Sequence, residues 1–226
     1  MKLHNFNSGP SILPPAVMQK AAQAIMDFEG SGLSILEIGH RTALFQKVMD
    51  EAVQSVKSLM QIGDDYEVLF LHGGATTQFM QVPMNLLDTH ETAAYCDNGI
   101  WGNKAIKEAA KFGNIEVVTD STPNNHTRID KNFVVDTTAK YLHFTTNNTV
   151  EGTQWHNLPN TAVPLVADMS SDIFYAPRNF NQFSLIYAGA QKNMGAAGVN
   201  MVVVKKEMLG KIARKIPTIM DYQKHI

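Results

Sequence analysis

The sequence predicts an α/β fold, a mostly parallel seven-stranded sheet flanked by helices. Seven short runs rich in apolar residues and β-formers recur at Glu67–Leu71, Thr92–Cys96, Ile115–Thr119, Tyr141–Thr145, Pro164–Ala167, Ser184–Tyr187 and Asn200–Val204. Helical patterns such as Phe79–Leu87 and Trp101–Phe112 lie between several of them. Apolar runs alternating with helices read as parallel strands buried on both faces. At 226 residues, 44% hydrophobic and 18% charged, the chain can bury a full core in one large domain or two small ones.

Taken in order, the chain opens extended and turn-rich around Asn7-Ser8-Gly9-Pro10. Val17, Ala21, Ile25 and Phe28 then recur at helical spacing behind Pro14-Pro15, which suit a helix start. A second amphipathic helix is expected from Thr42 to Met60, with Leu44, Val48, Ala52, Val56 and Leu59/Met60 on one face. Ser121 to His126, with Pro123-Asn124-Asn125, marks a surface loop. The tail from Lys205 to Ile226 is expected to begin as a helix and break at Pro217.

Composition excludes several function classes. Nineteen Lys plus Arg against 21 Asp plus Glu give a formal net charge of -2, so nothing supports a nucleic-acid role. Cys96, the only cysteine, excludes an intrachain disulfide framework and a multi-cysteine zinc site, and fits a reducing, cytoplasmic setting. No metal site is expected. Met1 to Pro15 lacks the apolar core of a signal peptide, and apolar runs such as Val68–Leu71 and Met201–Val204 are too short to cross a bilayer.

The chemistry-bearing residues follow strands, where ligands of open α/β sheets lie. His72-Gly73-Gly74-Ala75-Thr76-Thr77 leads from a strand into a helix, so backbone N–H groups and hydroxyls can approach an anion. An ordinary strand-to-helix turn would use the same residues. Asp168 stands at the mouth of the strand Pro164–Ala167; a carboxylate buried there needs a cationic partner, and an Asx-turn is the competing reading. Lys192, beyond another strand in Tyr187-Ala188-Gly189-Ala190-Gln191-Lys192-Asn193, sits among small neighbours that desolvate an amine and suit a nucleophile or Schiff-base partner. A phosphate cradle, an acid for a pyridinium nitrogen and such a lysine are together what pyridoxal 5'-phosphate requires. Trp101 offers an indole face to the pyridine ring unless it is a core residue, and Thr149 offers a hydroxyl unless it serves only the turn.

Phe6-Asn7-Ser8-Gly9-Pro10, Gly39-His40-Arg41, His72-Gly73-Gly74, Asp168-Met169-Ser170-Ser171 and Tyr187–Asn193 closely resemble the phosphoserine aminotransferase family over essentially the whole chain. The resemblance implies the large domain of a fold-type I, class V aminotransferase. Its expected reaction moves an amino group between glutamate and 3-phosphohydroxypyruvate in serine biosynthesis, and in bacteria it extends to pyridoxine biosynthesis. It further implies Lys192 as the lysine that holds the cofactor, Asp168 as partner of the pyridine nitrogen and Trp101 as the stacking ring. Gly74, Ala75 and Thr76 match the phosphate loop, Thr149 and Gln191 match further cofactor contacts, and His40 and Arg41 match the segment that holds the substrate's anionic end. A bidentate guanidinium suits that last task, and Arg41 is one of only four arginines.

Thr76 stands where some members carry an arginine. The implied organisation is an extended segment over residues 1–14 and a cofactor-binding large domain over 15–226. The family's chain continues beyond this length into a small C-terminal domain, so the sequence reads as truncated, and the functional form is expected to be a homodimer. A cysteine desulfurase or alanine–glyoxylate-type transferase shares the lysine and aspartate, although a desulfurase needs a mobile reactive cysteine and Cys96 lies in an apolar strand. A non-catalytic binding module is the alternative from another class.

Overall fold

The computed structural model describes residues 3–226. Residues 3–14 form no helix or strand. α1 (Pro15–Met26) starts with a proline, whose missing N–H has no intrahelical partner to lose. α2 (Ala43–Met60) is capped by Thr42, whose hydroxyl accepts the Phe45 N–H at 3.4 Å. α2 turns Val56 and Met60 into the core, whereas α1 buries none of its residues.

All seven predicted runs enter one sheet. The chain continues through β1 (Tyr66–Leu71), α3 (Gly74–Leu86), β2 (Thr92–Asp97), α4 (Ile100–Ala109), β3 (Asn114–Asp120) and β4 (Leu142–Thr145). A small hairpin, β5 (Asn147–Asn148) and β6 (Thr153–Gln154), precedes β7 (Leu165–Asp168), β8 (Phe183–Gly189), the single turn α5 (Ala190–Asn193) and β9 (Asn200–Lys205). The sheet order is β1-β9-β8-β7-β4-β2-β3. β9 runs antiparallel to both β1 and β8, and every other neighbouring pair is parallel. The short link from Gly189 to Asn200 explains the reversal, because a parallel return needs a longer crossover.

Two apolar cores sandwich the sheet. Along β9, Met201 and Val203 face the core that includes Val56, Met60 and Trp155, while Val202 and Val204 face the core under α3 and α4. Alternate residues of a strand point to opposite faces, so an uninterrupted apolar run is what two-sided burial demands. The edge strand β3 departs from that expectation, with Val117 exposed.

The tail also departs from its predicted form. Three short 3-10 turns, Lys206–Met208, Thr218–Met220 and Tyr222–Lys224, replace the helix expected from Lys205. Gly210 takes φ 73°, which breaks helical continuity. The segment is then held by polar side chains of α3 instead of by its own ladder. Gln81 Nε2 and Asn85 Nδ2 donate to the Met220 carbonyl at 3.0 and 2.8 Å, and the Tyr222 N–H donates to Asn85 Oδ1 at 3.0 Å. Among the described residues no helix is long and apolar enough to cross a membrane.

Candidate active site

The carboxyl ends of β1, β2, β4, β7 and β8 open onto a cleft of about 280 Å3, lined among others by Gly74, Ala75, Thr76, Trp101, Asp168, Gln191 and Lys192. This is the side of an open α/β sheet where ligands bind.

The β1–α3 turn supplies an anion cradle. Gly73 and Gly74 take φ 91° and 67°, and a Cβ on Gly73 would stand 2.0 Å from Thr77 Oγ1. Only glycine lets the chain turn this tightly into α3, whose start is approached by no acidic residue of its own first turn. Its free N–H groups and the positive end of the helix therefore face the cleft. The helix begins five residues before the predicted Phe79, at Gly74, because the small residues of the loop are its first turn.

Asp168 ends β7, buried at 5% exposure. Its Oδ1 accepts the Ser170 N–H at 2.9 Å and the Ser170 hydroxyl at 2.6 Å. The Asx-turn reading and the functional one are thus both realised, since the same carboxyl also lines the cleft. Burial pushes its pKa up, opposed by the Ser170 hydrogen bonds and by the Lys192 charge.

Lys192 follows β8 on the single turn α5, half-buried. Its Nζ lies 5.6 Å from the centroid of the Trp101 ring and 3.5 Å from Thr149 Oγ1. Trp101 Nε1 also donates to Thr149 Oγ1, at 3.4 Å. Trp101 is half-buried, packed against the core under α3 and α4 while also lining the cleft, and Thr149 joins the lysine and the indole through one oxygen. With that oxygen accepting twice, its own proton is left to donate elsewhere.

His40 and Arg41 are not brought to this cleft: both are exposed in the turn before α2, and neither lines it. Sequence reasoning missed Thr145, Asn147, Ser170 and Phe79 as cleft residues. Polar residues at or just after the ends of β4 and β7 were the available signal for the first three. The residue just after the N-terminal motif reaches the lysine turn: the Ser11 N–H donates to the Gln191 carbonyl at 2.9 Å, and its hydroxyl donates to the Lys192 carbonyl.

The residues fit a pyridine–phosphate group. Thr145 Oγ1 is buried at the cleft without a hydrogen-bond partner, an unspent polar atom of the kind a bound polar ring satisfies. The donor set of an anion cradle, an amine and a carboxyl suits phosphate, carbonyl and ring nitrogen respectively. Among the described residues no three His, Cys, Asp or Glu side chains are grouped to hold a metal. Cys96 is buried in β2, and burial drives its thiol pKa upward, away from thiolate chemistry.

This fold and site define the class of protein: residues 3–218 match the family Aminotransferase class-V, and the chain belongs to it. Within that family it is similar to the phosphoserine aminotransferases of Phocaeicola vulgatus, at 50% identity over 226 residues, and Flavobacterium psychrophilum, at 51% over 227. Both matches cover 100% of this chain but 63% and 64% of the relatives, so the chain spans under two thirds of their length. Among solved structures, phosphoserine aminotransferase from Bacillus circulans subsp. alkalophilus superposes with a TM-score of 0.93 at 40% identity, covering 97% of this chain and 62% of that one. The PLP-bound enzyme from Trichomonas vaginalis gives 0.91 at 28%, covering 99% and 64%. Alanine–glyoxylate aminotransferase from Nostoc sp., at 15% identity and a TM-score of 0.72, shares the fold alone.

Proposed function

We propose that this chain carries the cofactor site of a phosphoserine aminotransferase, which moves an amino group between glutamate and 3-phosphohydroxypyruvate. The observation that carries the reading is the convergence of Lys192, Asp168 and Trp101 on one cleft beside a helix N-terminus. The likeness in sequence to enzymes of that name, at about 50% identity, supports this choice of substrates.

Pyridoxal 5'-phosphate, when bound, supplies an electron sink for the pair released at the amino acid's Cα. The chain's residues do the rest. Lys192 Nζ would hold the group covalently and, when freed, carry a proton to and from the substrate carbon. Asp168 would keep the pyridine nitrogen protonated, the ionised carboxylate and the positive ring stabilising each other in a buried site. Gly74, Ala75 and Thr76 would hold the phosphate, and Thr149 would donate its free proton. Trp101 would cover one ring face, and Gln191 would add a polar contact beside the lysine.

His40 and Arg41 would take the substrate's anionic end. Since neither lines this chain's own cleft, a homodimer with sites shared between protomers accommodates them. Residues 15–226 would then be the cofactor-binding domain of a cytoplasmic enzyme and residues 1–14 an extended segment, of which Ser11 hydrogen-bonds to the lysine turn while Met1 and Lys2 lie outside the described residues. The test is an absorption spectrum of the protein with pyridoxal phosphate, before and after glutamate. A visible band that shifts on adding glutamate is expected; an unchanged spectrum would leave only a binding module.

A further inference from the structure

The four-residue turn between β5 and β6, Thr149–Gly152, touches the start of α4 twice. Thr149 meets the Trp101 indole, as described. Glu151 meets the backbone one residue earlier, its Oε1 accepting the Ile100 N–H at 2.7 Å. The carboxylate thereby satisfies one of the orphan donors of the helix and places a negative charge at its positive end.

Gly99 is shaped for this contact. Its φ of 154° falls where L side chains are rare, and a Cβ there would lie 2.8 Å from Glu151 Cδ and 2.9 Å from Asn148 Oδ1. α4 itself offers no side-chain cap, so the carboxylate comes from the β5–β6 turn. The turn that delivers it is closed by the Gly152 N–H donating to the Asn148 carbonyl at 2.8 Å.

We propose that Glu151 is a positioning residue for Trp101: by tying the start of α4 to the β5–β6 turn, it sets the plane of the indole on which a pyridine ring would lie. The value of that plane rests on the cofactor reading above, whereas the indole's mobility can be measured without any cofactor.

Trp101 emission is isolated as the difference between the protein and its Trp101→Phe variant, which leaves the buried Trp155 in place, and its quenching by acrylamide is read in cofactor-free protein. Glu151→Ala is expected to open the helix start about tenfold more often, the scale of a lost helix cap, and to raise Trp101 quenching accordingly. Glu151→Gln keeps an acceptor of the same reach and should stay near the parent. Glu151→Asp keeps the charge but loses a methylene of reach, and should behave as alanine does. Pyridoxal phosphate affinity should fall with Glu151→Ala, and the fall should vanish in a Trp101→Leu background, where no ring is left to stack.

Unchanged quenching in Glu151→Ala would overturn the proposal, as would an affinity loss of equal size without the indole. If the alanine variant does not fold, the aspartate and glutamine variants decide: parent-like Asp with mobile Gln would overturn it. A parent that binds no pyridoxal phosphate would sink the cofactor reading instead, with the quenching result still ruling on Glu151.

Discussion

Ser170 Oγ donates to Asp168 Oδ1 across 2.6 Å and accepts the Gly189 N–H at 3.1 Å, so one hydroxyl ties the ends of β7 and β8 behind the cleft. Burial pushes the Asp168 pKa up, and the hydrogen bonds it accepts from the Ser170 hydroxyl and N–H pull it back down. Ser170→Ala should let it rise, and because the ionised form is the working one, the acid limb of the kcat/KM profile should move to higher pH. Asp168→Asn should cost about 10²-fold or more in transamination, while melting of the cofactor-free protein stays level or improves, since a buried charge is removed. Unaltered turnover would refute the role.

Lys192 should be the single site of covalent attachment. Borohydride reduction of the pyridoxal-phosphate complex followed by peptide mapping should place the label there, and Lys192→Ala should abolish both label and visible absorbance. A label on another lysine would move the centre elsewhere.

Arg41 is exposed and outside the cleft, so its removal should spare the cofactor spectrum. In the complete enzyme, Arg41→Ala should raise the KM for 3-phosphohydroxypyruvate by about 10- to 100-fold, the range of a charged hydrogen-bonded contact. Arg41→Lys should not restore it, for a point charge lacks the bidentate fork. Parent-like kinetics would mean this segment binds nothing.

His143 is buried between the rings of Tyr95 and Tyr187, and burial lowers its pKa from 6.5 to about 3. The unfolded chain therefore binds the proton first, and stability conferred by the neutral ring is lost as pH falls below 6.5 toward 3. Melting temperatures measured from pH 7 to 4 should fall, and His143→Gln should flatten the slope by up to one proton. An identical slope in the variant would assign acid lability to other groups.

Arg178 pairs with the buried Asp172 at 3.0 Å, and Asp172 also accepts from Thr146 Oγ1 and Gln154 Nε2, which hold the base of the β5–β6 hairpin. Arg178→Ala leaves that carboxylate uncompensated and should cost about 3–5 kcal/mol. The double variant with Asp172→Asn should recover part of the loss in a denaturation series. Strict additivity would show that the pair is not coupled.

The sequence by itself determined the seven strands of the main sheet, the four long helices and the main cleft-lining residues. Two-sided burial writes strands as apolar runs, and side chains with special chemistry at strand ends stand out against them. Lys192 and Asp168 were legible as cleft residues because a lysine among small residues and a carboxyl closing a buried strand stand out, although Asp168 suited equally the Asx-turn it also makes. Only the tertiary structure decided the reversal of β9, the sheet order, the unwound tail, and the placing of His40 and Arg41 outside the cleft. It alone also brought Ser170, Thr145 and Glu151 to the site. These depend on which strands lie side by side and what they turn toward each other. Period and propensity are local along the chain, whereas the contacts that complete this cleft join residues tens of positions apart, such as Ile100 to Glu151 and Thr149 to Lys192.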